Sequence, residues 1–447
     1  MYDVIVIGAR CAGSPTATLL ARAGHRVLLV DRARFPSDTV STHLVKPRAM
    51  AYLRRWGVMD ALVAAGAPVR REFSFTREGV TLVGAPDRDA LRRCLQREHA
   101  WDAADLEACE VEWACIRRRT LDKVLLDAAV AAGVEVREGF AVGELVTDAD
   151  GRVVGVRGHG ERGAAVEERA RVVVGADGRH SLVARQAPAA VLEVRPRCTY
   201  TVYSYYSGVD VDAFAPPVHL RGRLGVGFAP VRDGQALVSC WGPREWFDGF
   251  RSDLEGNLLR TAELCCPDLA GALRAAGRRD EPIHGTVDLA NVLRQGAGTG
   301  WLLVGDAGCH VDQCTAIGIT LAFRDAELAA AAIHRGLAGE EPLDAALAAY
   351  DARRLELLRP HFEYVATVAE CNPTRHEQLR VLAALRGRRE HVARFLGFGA
   401  LIVPRAEYFT ASELAEIVDA AGPALADLPT PAEVEARNHR EEINPWR

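Results

Sequence analysis

The sequence predicts an α/β protein: a Rossmann-like nucleotide-binding domain with an inserted antiparallel β-sheet domain and a helical C-terminal region. Three observations predict it. Short, nearly continuous apolar runs, "DVIVI" at residues 3–7, "RVVVG" at 171–175 and "WLLVG" at 301–305, read as strands buried on both faces of a parallel sheet. Tyr- and Val-rich segments at 199–211 and 218–231 have the composition of antiparallel strands. From about residue 340 the chain turns Ala-, Leu-, Arg- and Glu-rich, a helix-forming composition.

The first element is a strand, a glycine turn and a helix. "GARCAG" follows residues 3–7, then "SPTATLLARAG", then the strand "RVLLV" ending at Asp31. This βαβ unit carries a dinucleotide fingerprint, with an acidic residue about 20 positions after its glycines. Gly8 allows the tight turn, Gly13 lets the helix approach the strand, and the helix N-terminus faces a pyrophosphate. Arg10, Cys11 and Ala12 complete the phosphate-facing turn, and Asp31, with Arg32 beside it, meets the adenosine ribose. Arg10 replaces the second glycine, so its guanidinium is expected near the phosphates.

Two later strands end in Asp177-Gly178 and in Gly305-Asp306, the second followed by a helix expected from near Thr315. In this order the three motifs resemble the flavoprotein monooxygenases of the p-hydroxybenzoate hydroxylase type, over roughly residues 1–350. That superfamily also holds geranylgeranyl reductases and flavin halogenases. The resemblance implies a GR2-type, Rossmann-like FAD-binding domain with FAD as cofactor. Asp306 would hydrogen-bond the ribityl chain, Gly318 and Ile319 would offer main-chain groups to the pyrimidine edge, and Asp177 would brace the loops. Arg118 in "RRRTLD", and Ser41 and Thr42 in "STH", match flavin- or phosphate-contacting positions. The helix beginning there would also stabilise negative charge on reduced flavin through its free N–H groups. Some features depart from the family pattern: Gln313 and "AIG" stand where many members have proline and a glycine pair. The halogenase signature WxWxIP is absent, "WGPREW" having the wrong spacing, which argues against halogenation.

The expected domains are a discontinuous FAD-binding domain (1–70, 101–190 and 290–350), a substrate-binding sheet domain (71–100 and 191–289) and a helical region (351–447). The sheet would roof the substrate cavity. Strand alternation places Tyr203 and Tyr205 on one face, where they are expected to touch substrate, and Tyr206 on the other. The tail "PTPAEVEARNHREEINPWR" reads as extended.

A net charge of −5 argues against binding nucleic acid, and no apolar run of about 18 residues could span a bilayer. The N-terminus lacks the basic segment of a signal peptide, and eleven cysteines without a CxxC pair suit a reducing, cytoplasmic location. Cys309, His310, Asp312 and Cys314 share one loop, but metal sites draw their ligands from separated pairs, so no metal is expected. His310 and His43, on the two flavin-adjacent loops, are the candidate catalytic acid–base groups.

The expected activity is an NAD(P)H-driven, FAD-dependent monooxygenase of secondary metabolism. It would hydroxylate a small aromatic or natural-product substrate with molecular oxygen through a C4a-hydroperoxyflavin. A flavin reductase or dehydrogenase of the geranylgeranyl reductase type is the first alternative, and a non-catalytic flavin-binding protein the second. Oligomeric state is not legible in the sequence.

Overall fold

The computed structural model describes residues 1–160, 163, 165–232, 234–441 and 444–446. The apolar runs do form one parallel sheet. Tyr2–Ile7 lies at its centre, between Val27–Asp31 and Ala165–Gly175, with Glu135–Glu138 beyond the former and Trp301–Leu303 beyond the latter. Successive side chains leave opposite faces, and both faces are covered. Val4, Val6 and Leu29 enter a core beneath the helices Gly13–Arg22 and Gly318–Ala338, whereas Ile5, Leu28 and Val30 enter a separate core on the other side. Each such buried aliphatic side chain contributes roughly 1.5–3 kcal/mol, which is why the positions facing the two cores are aliphatic.

The inserted sheet is antiparallel through Thr199–Ser207, Gln235–Pro243, Leu224–Arg232 and Val218–Arg221, and is extended by Phe73–Arg77 and Val80–Gly84. Its faces do different work. Tyr200, Val202 and Tyr206 pack on the helices Leu254–Cys265 and Pro267–Ala276, while Tyr203 and Tyr205 share the opposite face with Trp113 and Cys115.

Four expectations shift. The helix Arg88–Glu98 sends Leu91 and Leu95 into the nucleotide-binding core, so the segment 71–100 divides between two units. The helix Leu343–Ala369 runs unbroken through the expected boundary at 350. The helix after the second acidic motif starts at Gly318, not near Thr315, because Ala316 adopts a left-handed conformation (φ 51°) after a short 3₁₀ turn. The tail is not extended: Pro431–Glu441 is a helix, started by a reciprocal cap in which Thr430 N–H donates to Glu433 and Glu433 N–H donates to Thr430 Oγ1. Val434 is buried among Leu379, Leu385 and Phe409, and the Trp446 ring stands edge-on to Phe250 at 5.4 Å. Among the described residues no helix is long and apolar enough to cross a membrane.

Three imidazoles, His43 and His361 buried and His99 half-buried, make the fold acid-sensitive. Burial holds His43, His99 and His361 each at a pKa of about 3, and for His361 the neighbouring Arg324 and Arg48 add to it. The folded state refuses a proton that the unfolded state accepts near 6.5, so stability is intact above that value and lost as pH falls below it. Each histidine should contribute a slope of about 1.4 kcal/mol per pH unit. Urea unfolding at pH 7, 6 and 5 should show this decline, and His361→Leu should flatten it by one such increment; an unchanged slope would remove His361 from the account.

Candidate cofactor and active site

The glycine turn is a place where no Cβ fits. A Cβ on Gly8 (φ 105°) would lie 2.3 Å from the Ala176 carbonyl oxygen, and one on Gly13 would lie 1.7 Å from the carbonyl oxygen of Gly8. Gly8 therefore touches the end of the strand carrying Asp177, and Gly13 seats its helix on Gly8. Ala12 in turn faces Gly305, whose Cβ would come within 3.0 Å of that of Ala12. Three segments far apart in sequence thus meet at one point.

Asp31 closes the turn, its two carboxylate oxygens accepting from Ala9 N–H and Ala33 N–H, each at 2.7 Å. Arg32 beside it is exposed. The Arg10 guanidinium is drawn sideways: it donates to Asp122 Oδ2 at 2.6 Å and to Ser37 Oγ at 2.9 Å, and lies 5.2 Å from the centre of the Phe35 ring. Asp122, which sequence reasoning missed, is fully buried and also accepts from Arg118 Nε at 3.0 Å and from the Cys11 thiol at 3.3 Å. The available signal was its place four residues after Arg118, one helical turn on. Burial pushes the Cys11 thiol up, away from thiolate.

Arg118 ties this cluster to the sheet domain. Its backbone N–H donates to His43 Nδ1 at 3.2 Å, and the opposite ring nitrogen, which must then carry the proton, donates to Tyr205 Oη at 2.9 Å. His43 is fully buried, neutral, and has both nitrogens committed, so it positions its neighbours rather than exchanging protons with a ligand. Ser41 Oγ accepts from the His43 N–H at 3.1 Å, and Thr42 is half-buried in the same turn. Tyr203 stands edge-on to His43 at 5.3 Å. Arg117, also missed, lies over the Tyr205 ring at 4.0 Å and pairs with Asp38 at 2.9 Å and Glu281 at 2.7 Å. The seam between the two domains is therefore aromatic in its middle and ionic at its rim.

The second and third motifs differ in how their carboxylates are used. Asp177 Oδ2 accepts from Leu182 N–H at 2.6 Å, while its buried Oδ1 has no partner among the described residues. Asp306 is half-buried, makes no hydrogen bond among the described residues, and lies within electrostatic reach of Arg118. A Cβ on Gly318, at the start of its helix, would meet nothing within 4 Å, whereas the Ile319 side chain is packed into the core. A flat ring could approach the backbone at that terminus. His310 Nδ1–H donates to the Ala290 carbonyl at 2.5 Å, which leaves Nε2 as an acceptor. The other members of the apparent metal set diverge: Cys309 sits in an apolar cluster with Leu293 and Leu358, and Asp312 accepts from Thr199 Oγ1 at 2.5 Å and from Cys314 N–H at 2.9 Å.

These residues fit FAD: a glycine cradle at a helix N-terminus, a partnerless carboxylate at Asp306, one unpartnered carboxylate oxygen at Asp177 and open backbone at Gly318. The comparisons agree. Residues 1–234 match the family described as FAD binding domain. The chain is 31% identical to digeranylgeranylglycerophospholipid reductase 2 of Methanothermobacter thermautotrophicus, over 75% of this chain and 79% of that one. It is 26% identical to tryptophan 2-halogenase of Chondromyces crocatus over 78% of its length, and spans 64% of the halogenase. It is 30% identical to aklavinone 12-hydroxylase of Streptomyces peucetius over 48% of its length and 43% of the hydroxylase. Among solved structures, the flavin-dependent brominase Bmp2 superposes with a TM-score of 0.73 at 18% identity, covering 94% of this chain and 98% of that one.

The two buried or half-buried carboxylates should separate stability from ligand binding. Asp122→Leu strands two guanidinium groups and should lower the unfolding free energy of the apoprotein by about 3–5 kcal/mol. Asp306→Ala breaks no protein contact, so it should leave apoprotein unfolding unchanged while weakening FAD about tenfold or more, the loss of a charge-assisted hydrogen bond. Urea melts beside FAD fluorescence titrations check both, and unaltered FAD affinity in the Asp306 variant would count against the ribityl role.

Proposed function

The chain belongs to the FAD binding domain family, and from that membership we propose that it is an NAD(P)H-driven monooxygenase of a small aromatic or natural-product substrate. One observation carries the proposal: the partnerless Asp306 carboxylate lies within electrostatic reach of Arg118, whose backbone N–H leads through His43 to a buried tyrosine-bearing face of the inserted sheet. When bound, FAD would take electrons from NAD(P)H and deliver them to molecular oxygen. The chain's own residues do the rest. Asp306 would hold the ribityl hydroxyls, and the free N–H groups at Gly318 and Ile319 would stabilise negative charge gathering at the pyrimidine edge. The Tyr203–Tyr205 face and the ionic rim formed by Arg117, Asp38 and Glu281 would keep water from the reacting atoms. His43, held neutral, donates to Tyr205 Oη, which turns the tyrosine's own proton outward for a substrate oxygen. His310 Nε2 would accept a proton from a substrate hydroxyl.

A second reading is a reductase acting on carbon–carbon double bonds, favoured by the 31% identity to a digeranylgeranylglycerophospholipid reductase. Product mass separates the two. The protein with FAD, NADPH, oxygen and bromide, offered a panel of phenols and prenyl lipids, should return products heavier by one oxygen atom. Addition of two hydrogens would establish the reductase reading instead, and bromine in the product would overturn both. His310→Ala should keep wild-type flavin content and lose turnover by about 10²–10⁴-fold, the usual share of a general acid–base group. If turnover is unaffected, His310 takes no part.

A further inference from the structure

The loop that presents Asp306 is held from beneath by side chains outside the sequence motifs. Asp325 is fully buried in the helix Gly318–Ala338, and its Oδ2 accepts from the Gly305 N–H at 3.2 Å. Arg354, from the helix Leu343–Ala369, is likewise fully buried. Its Nε lies 3.5 Å from Asp325 Oδ2, and its Nη1 donates to Asp351 Oδ1 and to the Arg294 carbonyl, both at 3.2 Å. Asp351 accepts from Gly296 N–H at 2.8 Å, and the Tyr350 hydroxyl donates to the Leu303 carbonyl at 2.7 Å. The strands on either side of the loop are therefore fastened to the helix Leu343–Ala369, and the loop to the helix Gly318–Ala338, with the Asp325–Arg354 pair joining the two. Two glycines admit the guanidinium: a Cβ on Gly308 would lie 2.4 Å from Arg354 Nη2, and one on Gly296 would lie 2.7 Å from Arg354 Nη1.

A buried ion pair adds little net stability, because desolvation offsets the attraction, while breaking one side of it is costly. What this pair does supply is direction. Asp325 captures the Gly305 N–H on the helix side of the turn, and Gly305 (φ 59°) is the residue immediately before the partnerless Asp306. We propose that Asp325 and Arg354 are positioning residues for the flavin, setting the height of the Gly305–Asp306 turn and placing opposed charges behind it. This rests on the reading of the loop as an FAD site.

The charges give a test that packing alone would not pass. Removing Arg354 takes away one of the two cations, with Arg324, that offset the buried Asp325 carboxylate, which disfavours the negatively charged reduced flavin. Arg354→Met should lower the flavin midpoint potential and weaken FAD about tenfold or more. Asp325→Asn keeps an acceptor for Gly305 but removes the negative charge, so FAD affinity should stay within about twofold while the potential rises. Gly308→Ala, which displaces the guanidinium without removing it, covers the case in which Arg354→Met does not fold; it should weaken FAD with a smaller change in potential. The measurements are FAD titration and dye-equilibration potentiometry on each holoprotein, with wild type alongside. Opposite shifts in the Arg354 and Asp325 variants support the positioning role. Wild-type affinity and potential in Gly308→Ala and Asp325→Asn, or shifts of the same sign in both charge variants, overturn it. Failure of the wild type to bind FAD would instead sink the functional reading beneath it.

Discussion

Everything in this site depends on one contact between backbones. Gly13 sits against the carbonyl of Gly8, and Gly8 against the carbonyl of Ala176, at separations that leave no room for a Cβ. That contact brings a helix terminus and two strand ends to a single point, and Ala12 then reaches Gly305 from the third motif. A helix terminus exposes N–H groups without partners, and a parallel sheet delivers its carboxyl ends along one edge. The chemistry of the site follows from that convergence. A side chain at either glycine would separate the motifs before it touched any ligand.

The irregular fingerprint makes sense once Asp122 is seen. An arginine in a glycine turn would ordinarily crowd a phosphate, but here the buried carboxylate draws Arg10 aside and shares itself with Arg118 and Cys11. Arg118 then carries the order onward, because its backbone N–H fixes the tautomer of His43 and hence the direction of the His43–Tyr205 bond. One acid buried in a helix links the glycine turn to the tyrosine-bearing face of the inserted sheet.

The sequence shows what is local and periodic. Strands buried on both faces are apolar beyond their first residues, Asp3 and Arg171, so residues 3–7, 171–175 and 301–303 were readable, and alternation alone put Tyr203 and Tyr205 on one face. Arg117 and Arg354 were not readable because partners on other segments of the chain give them their meaning, and Asp122, though one turn from Arg118, gave no sign of its burial against Arg10, since a charged residue on a helix has the same local signature whether solvated or buried. The tail misled for another reason. Its polar composition hid the Thr430–Glu433 cap, which is legible as a motif, and Val434 supplies a buried anchor for its helix. The helix start moved to Gly318 because a left-handed residue at Ala316, which is not glycine, has no sequence signal.

The fold by itself does not choose a reaction, since proteins named as a hydroxylase, a reductase and halogenases all resemble this chain. The choice has to lie in which groups near the flavin can move a proton. His43 cannot: burial holds it neutral down to a pKa of about 3, and both ring nitrogens are committed. Burial also pushes Tyr205 up, so it can donate a hydrogen bond but will not release its proton at neutral pH. Of the two histidines proposed to face the flavin, that leaves His310, with one nitrogen anchored on Ala290 and the other without a hydrogen-bond partner among the described residues. A site with one available base and a tyrosine that only donates suits a substrate that gives up a single proton as it is oxidised. A phenol does this when hydroxylated beside its oxygen, whereas an isolated double bond has no such proton to give.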